Sequence, residues 1–317
     1  MHRFFFPVFF FGVFLSSCSK EKISLLTQEI DSHTDYGWRS IFFVNDSVGY
    51  LSGGSKYQIG VISKTNNGGK TWTTPDSVFP KVIYSSYFFN PAEGLIGGFD
   101  SYWGITNDSA KTFSVSTGDY DPVNGICFID KMHGAKVGGE GYSPGFISYT
   151  SDGGNTWSKT SLPNNFRCVK FSDSITAFAS GYGAIYKSTD AGKTFSPTEA
   201  HGDFFVAIDF PSSSVGYFAG YEGEILKTTD AGNSFDVVRK GNMAFNKREH
   251  FEAIDMWDEN TGWVAGHDGA MYKTSDGGGQ WKKVKTFTSV TLRTIHLFSA
   301  TTGIVAGDDG RIFFFME

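Results

Sequence analysis

An eight-residue pattern, Ser/Thr-x-Asp-x-Gly-x-Thr-Trp/Phe, recurs six times along the chain at intervals of 38 to 46 residues. The copies begin at Thr65 (TNNGGKTW), Thr106 (TNDSAKTF), Thr150 (TSDGGNTW), Ser188 (STDAGKTF), Thr228 (TTDAGNSF) and Thr274 (TSDGGGQW). A period of roughly 40 to 50 residues with strand-like patterning indicates one propeller blade per repeat. The pattern itself reads as a tight turn: the Asp carboxylate accepts hydrogen bonds from backbone amides just after it, Gly supplies a positive φ, and the closing aromatic packs into the sheet. Asn67 replaces Asp in the first copy, Ala110 replaces Gly in the second and Gln280 replaces Thr in the sixth, so these turns are expected to be looser.

A second signature, Gly-apolar-x-x-Gly with small-residue substitutions, recurs seven times, at residues 49–53, 94–98, 134–138, 177–181, 216–220, 262–266 and 303–307. Seven such segments and six turns imply seven blades. The last is incomplete, because after Arg311-Ile312-Phe313-Phe314-Phe315 the chain stops one strand short. An open edge would invite unwanted pairing. Residues 23–30 (ISLLTQEI) precede the first blade and belong to no other repeat, so they are predicted to supply the missing strand. The expected fold is all-β: a seven-bladed β-propeller over residues 23–317, closed by its N-terminal strand.

The first strand of each unit aligns with Arg39-Ser40-Ile41-Phe42-Phe43, the others beginning at Tyr84, Asn124, Arg167, Val206, Glu252 and Arg293. The third and fifth positions are mostly large and apolar, and the two-residue period of a strand places them between blades. The second is small throughout (Ser40, Ser85, Gly125, Cys168, Ala207, Ala253, Thr294), as strands converging on an axis require. The fourth shares that face and holds Phe42, Tyr87, Cys127, Lys170, Asp209, Asp255 and His296, a mixed polar ring predicted to line a central tunnel. The first position forms a ring at the tunnel mouth containing Arg39, Tyr84, Asn124, Arg167, Glu252 and Arg293.

Longer aromatic turns in the first three units add Tyr57, Tyr102, Trp103 and Tyr142 to the same end. The longest blade-to-blade connection, residues 236–250, adds Arg239, Lys240, Lys247 and Arg248. Arg, Tyr and Trp are enriched at binding hot spots, which makes this face the candidate binding surface. The bland alternative is that the arginines pair with Glu252 or cap strand carbonyls. Asp209, Asp255, Glu252 and His296 could also be read as a glycosidase acid and base, which needs two carboxylates across a sugar-sized gap. Hydrogen bonding of the tunnel residues to Lys170 or water is the simpler expectation. Cys127 and Cys168 are read as buried small residues rather than a disulfide. No Gly-rich phosphate loop, Cys/His metal cluster or nucleophile elbow appears, so neither metal nor cofactor is expected.

The N-terminus reads as an address. Residues 4–15 form an apolar run after Arg3, too short for the about 20 residues of a membrane-spanning helix. Leu15-Ser16-Ser17-Cys18 resembles the bacterial lipobox, whose Cys is diacylated and becomes the first mature residue. Residues 1–17 are therefore expected to be a lipoprotein signal peptide, Cys18 the lipidation site and residues 18–22 a short tether, with the protein held at a membrane of the cell envelope. Two acyl chains anchor stably where one does not. The formal charge is −6, from 27 Lys+Arg against 33 Asp+Glu, with no long basic run, which argues against a nucleic-acid partner.

The six turns resemble the Asp-box, or BNR repeat, found in sialidases, sortilin-type receptors, xyloglucanases and photosystem II stability/assembly factors. Enzymes and non-enzymes share this fold device. Three arginines with Tyr84 and Glu252 resemble the sialidase inventory, but the Arg-Ile-Pro motif of that family is absent, and Trp38-Arg39-Ser40 stands there instead. Over residues 36–315, with runs such as Gly216-Tyr217-Phe218-Ala219-Gly220, the chain resembles the photosystem II stability/assembly factor family. That resemblance implies a non-enzymatic propeller that binds a membrane-protein assembly intermediate. The expected function is a membrane-anchored scaffold, monomeric, recognising a membrane-associated protein partner. The alternative is a carbohydrate-active propeller that hydrolyses or binds a glycan.

Overall fold

Seven four-stranded antiparallel sheets make up the computed structural model, which describes residues 22–73, 78–118, 121–141, 143–241 and 249–317. Each sheet follows chain order from the axis outward, as in blade one: Gly37–Phe43, Gly49–Ser55, Ile59–Thr65 and Val78–Phe79. The innermost strands of blades two to seven are Ile83–Phe88, Val123–Phe128, Phe166–Phe171, Phe205–Asp209, Phe251–Met256 and Leu292–Leu297. Blade seven is completed from the N-terminus, as expected: Leu26–Ile30 lies antiparallel to Ile312–Met316, with Leu26 opposite Met316 and Ile30 opposite Ile312. Just before this strand, the Ile23 N–H donates to the Lys283 carbonyl at 3.0 Å and the Ile23 carbonyl accepts from Lys285 at 2.7 Å, tying the same segment to the edge of blade six.

The core is divided into layers between neighbouring blades. Trp38, Leu51, Ile304 and Ile312 fill the seam between blades seven and one, and Tyr217, Phe251, Ile254 and Val264 fill the layer between five and six. The third and fifth positions of the innermost strands contribute as the alternation requires, for example Ile254 and Met256.

All six Asp-box turns form the same bonds. The first hydroxyl accepts from the fifth residue's N–H at 2.8–3.1 Å and donates to the carboxylate or amide oxygen of the third. That oxygen accepts from the seventh residue's N–H at 2.8–3.0 Å. Hydrogen bonds from Thr112 and Ser234 hold the Asp108 and Asp230 carboxyls down at about 2. The expected loosening of the first, second and sixth turns does not occur. Asn67 accepts through its Oδ1, Ala110 adopts φ of 65° in place of Gly, and Gln280 needs only its backbone N–H.

Every innermost strand also contains a β-bulge that the pattern of side chains did not suggest. The register slips between Trp38 and Ser40, Ile83 and Ser85, Val123 and Gly125, Phe166 and Cys168, Phe205 and Ala207, Phe251 and Ala253, and Leu292 and Thr294. The residue inserted each time is the mouth-ring residue. An extra residue bends the strand and re-aims its own side chain. The bulge also brings the inner strand close to the second one, which explains the closing Gly of the Gly-x-x-Gly segments. A Cβ at Gly138, Gly181 or Gly266 would lie 1.8 Å from the carbonyl oxygen of Pro122, Asn165 or His250.

Candidate functional site

The bulges turn Arg39, Tyr84, Asn124, Arg167, Val206, Glu252 and Arg293 into one funnel of about 510 Å3, at the end of the ring opposite the Asp-boxes. A second tier comes from the residue after each closing Gly. Phe99, Tyr221, His267 and Asp308 stand there, with backbone N–H groups that donate to Val82, Phe204, His250 and Thr291 at 2.8–3.0 Å. Sequence reasoning missed this tier, although its position in every repeat marks it. Tyr57, with φ of 62° and 59% exposed, stands at the rim against Phe99.

The three arginines are not equivalent. Arg293 is fully engaged, donating to both Asp308 carboxylate oxygens at 2.6 and 2.9 Å and to Glu252 Oε1 at 3.0 Å. Glu252 also faces His267 Nε2 at 2.7 Å. Burial pushes the Glu252 carboxyl up, but the His267 hydrogen bond and the Arg293 charge overcome it and hold the group below its ordinary value. For Arg293 the bland reading is thus correct. Arg39 has one long contact, 3.8 Å to Asp308, and its buried Nε has no partner among the described residues. Burial and the neighbouring Arg293 lower its pKa, as befits a cation short of negative charge. Arg167 is exposed, 3.5 Å from Asn124 Oδ1 and 5.5 Å from the Phe204 ring. Asn124 is fixed by donating to the Gly139 and Phe166 carbonyls at 2.9 Å. Burial raises the Tyr84 phenol to about 12, so it stays a neutral donor between Arg39 and Arg167.

Other residues expected on this face lie elsewhere. Tyr102 is 4% exposed and packs on Phe79, because its turn folds it into the layer between blades one and two. Trp103 faces Trp157 of blade three, away from the funnel. Arg239 pairs with Glu249 at 2.6 Å and lies over Phe251 and Tyr272 at the outer rim of blades five and six. Lys240 is exposed beside it and does not line the funnel. Tyr142, Lys247, Arg248 and Cys18 lie outside the described residues.

Below the mouth, the fourth-position residues stitch the tunnel wall. Lys170 pairs with Asp209 at 2.9 Å, Asp209 accepts from Met256 N at 2.8 Å, and Asp255 accepts from Leu297 N at 2.7 Å. The charge of Asp209 raises the pKa of Lys170. Burial, followed by the Lys170 charge, lowers His296 to about 4, and its ring stacks on Phe43 at 4.5 Å. Each carboxylate thus holds a backbone amide of the next blade. Cys127 and Cys168 are free thiols in the same wall.

Fold and site together define a seven-bladed Asp-box propeller with an arginine-lined funnel. The family described as Photosynthesis system II assembly factor YCF48 matches residues 198–291, which span blades five and six. Among solved structures, one described as YCF48 bound to D1 peptide is similar with a TM-score of 0.68 and 18% identity, over 92% of this chain and 95% of that one. YCF48 from Cyanidioschyzon merolae gives 0.70 and 18% over 92% and 98%. At such identities the likeness is one of fold, and it reaches equally to the WD40 β-propeller domain of Doa1, at 0.71 and 15% over 92% and 96%. No curated protein matches the sequence. The expected fold and the resemblance to assembly-factor propellers both hold.

Proposed function

We propose that this chain is a membrane-anchored, non-enzymatic recognition propeller that takes an acidic or carbonyl-rich segment of a protein partner into its funnel. The observation that carries this reading is the unequal commitment of the arginines. Asp308 and Glu252 occupy Arg293, while Arg39 keeps a buried Nε without a partner among the described residues and Arg167 stands exposed on the same funnel wall. A guanidinium with unused donors is matched by carboxylates and carbonyls through charge-assisted hydrogen bonds. The similar fold of a YCF48 solved with a D1 peptide supports a peptide as the kind of ligand. Anchoring rests on the lipobox at residues 15–18.

The test is affinity capture with the intact lipoprotein, followed by binding assays on the recovered partner. Arg39→Ala with Arg167→Ala is expected to weaken binding by about 2 kcal/mol or more, as hot-spot residues do, with little change in melting temperature. Cys18→Ala should release the protein from the membrane fraction. Normal partner binding by the double variant, together with Glu252-dependent cleavage of a polysaccharide, would overturn the reading.

A further inference from the structure

The third residue of the Gly-apolar-x-x-Gly segment is Leu51, Ile96, Ala179, Phe218, Val264 or Val305 in six blades and Lys136 in blade three. All six apolar residues are buried, and Lys136 is only 9% exposed. A charge at a core position is costly unless something pairs with it. Lys273, equally buried, is paired with the Glu317 carboxylate. Among the described residues no carboxylate or hydrogen-bond acceptor pairs with Lys136. Its Nζ lies instead 4.6 Å from the ring centres of both Trp103 and Trp157, which meet edge to face at 6.3 Å. The aromatic faces support the cation without neutralising it.

The ammonium borders a cavity of about 210 Å3 between blades two and three. Trp103, Trp157, Phe146 and Val123 supply apolar walls, and Ser148 and Lys159 further polar groups. Lys159 is held by Asp121 at 2.9 Å. This layer has five buried apolar side chains, fewer than any other among the described residues, so the cavity stands where the core is thinnest. None of its lining residues belongs to the funnel.

We infer that the cavity around Lys136 is a binding site for a small organic carboxylate, whose anionic end pairs with the Lys136 ammonium and whose apolar body lies against Trp103, Trp157 and Phe146. The carboxylate would supply the charge that this layer lacks, and the two tryptophans give the pocket its preference for an organic anion over an inorganic one. The state of the amine agrees with an unfilled demand for negative charge: burial, with Lys159 adding to it, lowers Lys136 to about 8.

Benzoate is the probe, added to the full-length protein in detergent, with inorganic phosphate as the control. Benzoate is expected to raise the melting temperature in a concentration-dependent way and to leave Lys136→Met unaffected. Methionine conforms to the apolar residues of the other six blades, so this variant should fold. Independently, ¹³C-methylation of the lysines allows the Lys136 titration to be followed by NMR in the unmutated chain. Benzoate should move its midpoint upward by about one pH unit, as an opposite charge at close range does. Equal stabilisation of Lys136→Met, or no movement of the Lys136 midpoint at millimolar benzoate, would overturn the site. Phosphate acting as well as benzoate would overturn the assignment to an organic carboxylate.

Discussion

The two ends of this propeller repeat in different ways. At one end six Asp-boxes carry nearly the same side chains, because those side chains build the turn: Thr228 and Asp230, for example, provide its hydrogen bonds themselves. At the other end seven bulges share one backbone geometry while their inserted residues are Arg, Tyr, Asn, Arg, Val, Glu and Arg. There the backbone bonds make the structure, and each side chain is left free to differ. Recognition chemistry can vary at the mouth without disturbing the ring, whereas a change that removes a box hydrogen bond costs stability.

If that contrast is right, stability should respond most to the repeated backbone, less to a repeated box side chain, and least to a variable one at the mouth. Deleting residues 23–30 removes the five paired residues that close blade seven. At about 1 kcal/mol per hydrogen bond the loss is on the order of 5 kcal/mol, read as a large drop in the denaturant midpoint. An unchanged midpoint would mean that the seam contributes nothing. Thr228→Val strikes one box. Thr228 Oγ1 is buried, accepts from Gly232 N at 2.8 Å and donates to Asp230 at 2.9 Å, so the loss is expected at about 1–3 kcal/mol. Partner binding should survive. A box variant that kept its stability but lost binding would erase the distinction between the two ends.

Much of the box end was legible because its residue types are its structure. The closing strand was legible for a similar reason, since one unassigned stretch matched one missing strand. At the mouth, alignment found the ring residues but not why they point inward. The signal was present in the spacing. Trp38, Ile41 and Phe43, or Phe251, Ile254 and Met256, are apolar at intervals of three and then two, and the odd interval marks an inserted residue. The pairings were not legible. Nothing in the order of residues shows that Asp308, on the second tier, would claim Arg293 and leave Arg39 underused. Lys136 was visible as a break in the repeat, but its cage needs Trp103 from the neighbouring blade.

A separate, pH-dependent effect belongs to the tunnel wall between the two ends, where side chains vary as at the mouth yet Asp209 and Asp255 each hold a backbone amide of the next blade. Burial, reinforced by the nearby Asp209 charge, raises the Asp255 carboxyl to about 8. Its unfolded value is about 3.9. Between these values the folded state holds a proton that the unfolded state has lost, so this group's contribution to stability is full below about pH 4 and falls as pH rises towards 8. Asp255→Asn keeps an oxygen that can accept the Leu297 N–H and removes the titration. The variant should therefore gain stability relative to the unmutated protein as pH rises from 4 to 8, with no further gain above. Denaturant unfolding of both proteins across that range checks this. A difference independent of pH would show that Asp255 stays ionised throughout, its charge matched by Lys170, and that the tunnel wall is a charged network rather than a set of amide caps.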